Sequence, residues 1–482
     1  MAVKISLNKK QLMDKIWGCW VGKNIGGTLG APYEGKSEIN NITGFASQKG
    51  EPLPNDDLDL QLIWLRAMQE TGPKSLDANV LADYWLSCIT PHWNEYGIGK
   101  SNLERGILPP LSGEVNNDVW KCSNGAWIRS EIWACLAPGV PNVAVKYAIY
   151  DACIDHGLSE GTYAEMFTAA LESMAFFETD IRVLIDKALD FVPSDCRIAK
   201  CVKLVLDSYD KKIPWIEVRQ MLVEDNADIG WFQAPANIGY VVLGLVYGEG
   251  DFKQSLIYCV NCGDDTDCTA ATCGAILGIM YGEKGLPEDW KEYIGDRIVT
   301  CCINASYKNE VPKNCTQLTE MVLETLPGVL NEYGIDFEYT DGENVIDKEA
   351  ALSVLDGYSA GIMERSPYSF EINSPSHTDV VVEYEKEPFV KPGDEFRVKV
   401  SFTNHRGDPF FYELEALLPE GWSADYKKNC FITQITLKSD GKATWEMTVH
   451  VGENVATINK IIITATAEGH VVPVMIPMVL LG

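Results

Sequence analysis

Residues 262–282 read CGDDTDCTAATCGAILGIMYG. Three carboxylates, Asp264, Asp265 and Asp267, open the stretch, and an apolar run follows in which Ala270, Gly274, Gly278 and Gly282 recur every four residues. That interval marks one face of an α-helix. Each glycine inside a helix costs roughly 1 kcal/mol against alanine, so a regular file of them implies a compensating contact. A face without side chains lets a second helix approach its backbone. A matching file stands in residues 16–35, IWGCWVGKNIGGTLGAPYEG, where Gly18, Gly22, Gly26 and Gly30 keep the same interval. The two helices are expected to cross in contact. That would set the acidic mouth of the second beside the Pro32–Tyr33–Glu34 exit of the first.

Around this pair the chain has 482 residues, too many for one ordinary core, so two domains are expected. Apolar residues make up 46% and charged residues 23%, the balance of a globular chain. No long uncharged apolar run suggests a membrane span, and the first residues lack a signal-like apolar core. The formal charge of −29, with no basic patch to offset it, excludes a nucleic-acid partner. It equally disfavours a strongly anionic substrate unless cations or helix N-termini supply local positive potential. The fifteen cysteines are scattered through helical patterns, where a free thiol serves as a small core residue. A reducing cytoplasm is the expected location.

From residue 9 to about 335 the apolar period is helical almost throughout. The pattern predicts helices over 9–30, 56–70, 142–155, 163–178, 235–247 and 268–282, among others. The longest predicted loop is ERGILPPLSGEVNND, around 104–118. After a mixed connector the period changes to two, as in EFRVKVSFTN (395–404) and INKIIITATA (458–467). The expected architecture is therefore a large all-α orthogonal helical domain over 1–340, a connector over 341–366, and a small all-β sandwich of immunoglobulin-like type over 367–482.

Two acidic clusters open helices: Asn55–Asp56–Asp57 after Pro54, and Asp265–Thr266–Asp267. Alone, each reads as ordinary capping, because Asn and Asp stabilise any helix start. Together they read as a ligand set. Carboxylate and amide oxygens without histidine or thiolate at the core suit a hard cation such as Mg²⁺. The six aromatic residues Trp85, Trp93, Tyr96, Trp120, Trp127 and Trp133 read mainly as core, with a minority free to line a cleft.

The order of these motifs resembles the ADP-ribosylglycohydrolase family. The matching pieces are IWGCWVGKNIGGTLGAPYEG, NDDLDLQ, SNGAWIR (123–129), IDHGLSEGTYAEM (154–166) and GDDTDCTAATCGAILG (263–278). The resemblance implies an all-α fold with a binuclear Mg²⁺ site that hydrolyses the bond between ADP-ribose and an acceptor nitrogen or oxygen. Asp56 and Asp57 would ligate metal from one helix start, Asp265 and Asp267 from the other. Ser123, Asn124 and Gly125 would line the substrate ribose, His156 would touch substrate, and Glu34 would be the acidic residue at the mouth. Glu34, Asp57 and Asp265 are the expected catalytic groups. Two positions depart from the family pattern. Asn55 stands where a threonine is usual, and an amide oxygen can serve as a hard ligand. Cys268 stands where Thr or Ser is usual, and a thiol is a poor Mg²⁺ ligand, so one of the two metals is expected to be weakened.

The leading expectation is a metal-dependent glycosyl hydrolase acting on a small-molecule or protein-attached ADP-ribosyl substrate, with a homo-oligomer compatible with the sequence. The alternatives are a glycosidase or nucleosidase for a neutral sugar on the same fold, and a non-catalytic binding relative.

Overall fold

The computed structural model describes residues 3–50, 52–372, 378–436 and 439–482. The chain divides into two compact units, one of Met1–Gly97 with Asn117–Glu364, the other of Ile98–Asn116 with Arg365–Gly482.

In the first unit the helices Lys9–Gly30 and Thr266–Tyr281 lie antiparallel and in backbone contact. Gly18 faces Gly278, Gly22 faces Gly274, Gly26 faces Ala270 and Gly30 faces Thr266. A methyl group added to Gly18 would stand 2.6 Å from the carbonyl oxygen of Gly278. At Gly22 and Gly26 it would collide with the carbonyls of Gly274 and Ala270. The close approach is pinned at both ends. Thr266 Oγ1 donates to the Gly30 carbonyl at 2.9 Å, and Lys15 Nζ donates to the Met280 carbonyl at 3.1 Å. The paired glycine files thus form the contact that their spacing predicts.

Further helices surround the pair, including Asp56–Thr71, Pro141–His156, Glu160–Ala175, Ala234–Tyr247 and Cys315–Glu332. Pro141 and Pro235 sit in the first turns of their helices, where the missing N–H costs no intrahelical bond. The unit is not purely helical. Strand Val3–Asn8 pairs in parallel with Ile335–Thr340 and antiparallel with Val345–Ile346. The expected connector is also folded into this unit: Ala351 is fully buried, and Asn142 Nδ2 donates to the Leu352 carbonyl at 2.7 Å.

Among the described residues, the second unit has a two-stranded sheet pairing 435–436 with 439–440, and two larger antiparallel sheets enclosing one apolar core. One sheet runs in the order 369–372, 378–384, 395–404, 442–450, 423–426; the other runs 474–481, 458–467, 410–417, 429–432. Alternate residues point inward, such as Phe396, Val398 and Val400 from the first sheet and Ile461, Ile463 and Ala465 from the second. The stretch 98–116 differs from expectation. It was read as part of the helical domain, mostly as loop, yet it belongs with the sheets. The cause is apolar: Ile107, Leu111 and Val115 are buried in the sheets' core, and Asn102 Nδ2 ties the segment to itself through the carbonyls of Ser112 (2.8 Å) and Val115 (2.7 Å).

The glycine contact yields a direct test. Gly22→Ala places a methyl against backbone that cannot swing aside and is expected to cost roughly 1–3 kcal/mol, read as a lowered thermal midpoint. Gly44→Ala, at a glycine with open space around it, is expected to leave the midpoint unchanged.

Candidate functional site

Where the two glycine-file helices meet, three chain segments converge. The first helix exits through Ala31–Tyr33 to Glu34. Just beyond, the backbone of Gly35 and Lys36 pairs with Asp264, with N–H to carbonyl distances of 2.9 and 2.7 Å. Asp264 holds φ at +69°, and its Oδ1 accepts the N–H of Phe232 at 2.8 Å. That reversal lets the next helix start at Thr266 with Asp265 as its N-cap. The third segment is the start of helix Asp56–Thr71, whose N-cap Asn55 accepts the N–H of Asp57 through Oδ1 at 2.8 Å. The side chain of Asn55 rests against Gly27, a position where any Cβ would displace it.

The result is an acidic pit. Ligand atoms of Glu34, Asp265 and Asp267 fall within 4.8 Å of one another, as do those of Asp57, Asp267 and Cys268. Asp56 stands close enough for its charge to act on both Glu34 and Asp57. Burial pushes the carboxyls of Asp57, Asp265 and Asp267 above their usual range. Burial, then the charge of Asp267, raises Asp56 to about 6, and Tyr96 donates to its Oδ2 at 3.4 Å. Glu34 is exposed as a residue, yet the charge of Asp267, then partial desolvation, raises it to about 7.

Behind the pit lies a cation. Lys23 is fully buried; its Nζ sits 2.8 Å from Glu131 Oε1, 2.7 Å from the Ile128 carbonyl and 3.7 Å from Asp57 Oδ2. Burial alone would strip its proton, but Glu131 and Asp57 more than reverse that and hold it charged. Gln61 Nε2 closes the arrangement on Glu131 at 2.8 Å.

The residues expected to contact substrate are all buried. Asn124 Nδ2 donates to Asp265 Oδ2 at 2.8 Å, fixing that carboxylate. Ser123 Oγ lies 3.1 Å from His156 Nε2, and His156 Nδ1 lies 2.8 Å from Asp155 Oδ1. Asp155 in turn receives Arg129 Nη2 at 2.7 Å, while Arg129 Nε goes to Asp151 at 2.7 Å and its guanidinium lies 4.6 Å from the Trp85 ring. Gly125 stands against the carboxyl of Glu95, which burial raises to about 7. Among the aromatic residues, Trp85, Tyr96, Trp127 and Trp133 are core, whereas Trp93 and Trp231 are each 53% exposed.

Lys23, Glu131, Asp155, Glu95 and Asn237, whose Oδ1 accepts the N–H of Asp265 at 3.4 Å, are parts of this site that the sequence does not single out. Lys23 leaves one signal, the single charge between Ile16 and Gly30 in the glycine-file helix.

The donor set fits a hard divalent cation. Asp57 Oδ2, Asp265 Oδ1 and Asp267 Oδ1 are buried without a hydrogen-bond partner, a costly state unless a cation takes them. Cys268 differs, because its thiol donates to Asp57 Oδ1 at 3.3 Å instead of offering an oxygen.

The family model described as ADP-ribosylglycohydrolase matches residues 8–325. ADP-ribosylarginine hydrolase Tri1 of Pseudomonas putida is 36% identical over 306 residues, covering 60% of this chain and 76% of that protein. ADP-ribosylhydrolase ARH3 of Gallus gallus is 23% identical over 323 residues, covering 57% of this chain and 87% of that protein. A solved ADP-ribosylglycohydrolase-related protein complex aligns over 66% of this chain and 99% of its own at 20% identity, with a TM-score of 0.46.

The raised carboxyls give the metal-free protein a signed pH response. Asp56 (about 6) and Glu34 (about 7) hold protons more tightly folded than unfolded. Stability is therefore present below about pH 4 and is lost as pH rises towards neutrality. With chelator present, the thermal midpoint is expected to fall between about pH 5 and about pH 8. Adding a divalent cation removes that fall, and Asp56→Asn flattens it.

Proposed function

The chain belongs to the ADP-ribosylglycohydrolase family, and we propose that it hydrolyses the glycosidic bond joining an ADP-ribosyl group to an acceptor nitrogen or oxygen, with arginine-linked ADP-ribose as the first substrate to test. The observation that carries this reading is the convergence of Glu34, Asp57, Asp265 and Asp267 at the mouth of the paired helices, where Asp265 Oδ1 and Asp267 Oδ1 are buried without a hydrogen-bond partner. The arginine linkage comes from the 36% identity to an ADP-ribosylarginine hydrolase.

Asp56, Asp57, Asp265 and Asp267, with the Asn55 amide oxygen, would hold two Mg²⁺ ions. When bound, such ions neutralise the pit, attract sugar hydroxyls and acidify a water. The protein's own groups do the rest. Lys23 and Asn124 keep Asp57 and Asp265 from turning away. Glu34, with a carboxyl near neutral affinity for protons, takes the proton from the attacking water. The remaining carboxylates face the positive charge that grows on the ribose as the bond to the acceptor stretches. Ser123, Gly125 and His156 form the wall beneath the ribose, with Asp155 and Arg129 fixing the imidazole from behind. Cys268 spends its thiol on Asp57, so one of the two cation positions is the weaker. The fifteen free thiols suit a reducing cytoplasm.

A second reading, a neutral glycoside or nucleoside substrate, has one observation in its favour. Lys23 and Arg129, the two buried cations behind the pit, are ion-paired, so neither is free for a pyrophosphate.

The deciding assay follows release of ADP-ribose from arginine-linked and serine-linked peptides, with Mg²⁺ and with chelator. Metal-dependent release is expected, and Glu34→Gln is expected to lower kcat by roughly 100-fold. Asp265→Asn is expected to abolish both metal binding and release. Turnover of aryl glycosides or nucleosides alone would replace the proposal with the second reading.

A further inference from the structure

Away from the pit mouth, adjacent cysteines sit on the irregular segment that follows helix Glu288–Ile294. Cys301 is exposed and Cys302 is fully buried, and their Sγ atoms stand 3.6 Å apart. The backbone here is held on both sides. The Cys302 carbonyl accepts from Thr90 N at 2.8 Å and from Thr90 Oγ1 at 2.9 Å, and Asn304 N donates to the Cys88 carbonyl at 2.7 Å. Asp59 Oδ2 accepts the N–H groups of Cys301 (2.7 Å) and Cys302 (2.5 Å). That leaves Asp59 Oδ1, on a fully buried side chain, without any hydrogen-bond partner. One ligand atom from each of Asp59, Cys301 and Cys302 lies within 4.8 Å of the others.

We propose that Asp59, Cys301 and Cys302 form a second cation site, separate from the acidic pit, which takes one thiophilic divalent cation of the zinc class. Two thiolates at a zinc–sulfur length of about 2.3 Å in a tetrahedron stand about 3.8 Å apart. The observed 3.6 Å is close to that separation, so an ion would need only a small shift of the two sulfurs. The carboxylate supplies a third donor, and the exposed side of Cys301 leaves water the fourth position. Binding exchanges each S–H bond for a sulfur–metal bond and releases both protons to solvent, so no oxidant or reductant is needed. Thiolate donors also separate this site from the pit by chemistry: Mg²⁺ favours the all-oxygen set and the zinc class favours sulfur. The two sites share one helix, because Asp59 stands one turn beyond Asp56.

The test uses the full-length, reduced protein with the pit saturated by Mg²⁺. Titration with Cd²⁺ is followed by the thiolate-to-cadmium ultraviolet band, and Zn²⁺ affinity is read by competition. The wild-type protein is expected to show one equivalent with two-thiolate intensity. Cys301→Ser, at an exposed position, is expected to keep its zinc-free melting temperature, lose about half the band, and bind Zn²⁺ at least about tenfold more weakly. No band at one equivalent in the wild type, or the same band and affinity in Cys301→Ser, would overturn the site and leave only a thiol–thiol hydrogen bond.

Discussion

The whole arrangement depends on two helix backbones touching. Ordinary side chains hold helix axes about 8–10 Å apart. Removing them at Gly18, Gly22 and Gly26 on one side, and at Gly274 and Gly278 on the other, lets carbonyl and Cα atoms meet directly. The contact has no adjustable layer, so the ends of both helices are fixed relative to each other with little play. Glu34 and Asp265 follow from those ends, one just after the first helix and one just before the second. The conformational cost of the glycines is offset by precision where the carboxylates converge.

Crowding so many carboxylates has an electrostatic cost, and the interior answers it in layers. Lys23 stands behind Asp57 and is shared with Glu131, which Gln61 then satisfies. Arg129 performs the same task one layer away for Asp151 and Asp155. Breaking a buried pair by removing one partner leaves an uncompensated charge, which is far more costly than the pair itself. These two cations are therefore committed to the scaffold.

Much of this was legible in the chain because the decisive patterns are local. A glycine every four residues is visible inside one helix, and so is an aspartate pair at a helix start. What stayed hidden depends on distant partners. Glu131 lies 108 residues from Lys23, and nothing near either residue announces the pairing. Strand Val3–Asn8 is short and half polar, and its partner Ile335–Thr340 lies at the far end of the helical sequence. Ile107, Leu111 and Val115 carry a regular apolar spacing, but Pro109, Pro110 and Gly113 between them read as loop punctuation. Their burial among strands that begin some 250 residues later was decided by tertiary context. Ser123, Asn124 and His156 were singled out by resemblance, yet the structure reveals what holds them: Asp265, Asp155 and the guanidinium of Arg129.

The small sheet joining Val3–Asn8 to Ile335–Thr340 and Val345–Ile346 bears on how the polypeptide acquires its shape during synthesis. The strand Val3–Asn8 leaves the ribosome well before the two segments that complete its hydrogen bonds, which emerge more than 300 residues later. At about 5–20 residues per second, that strand waits unpaired for tens of seconds. The first glycine-file helix waits too, with its bare face uncovered until residue 266 is made. Both contacts are therefore available only late in synthesis, the helix contact once residues 266–281 are made and the sheet only after residues 335–346.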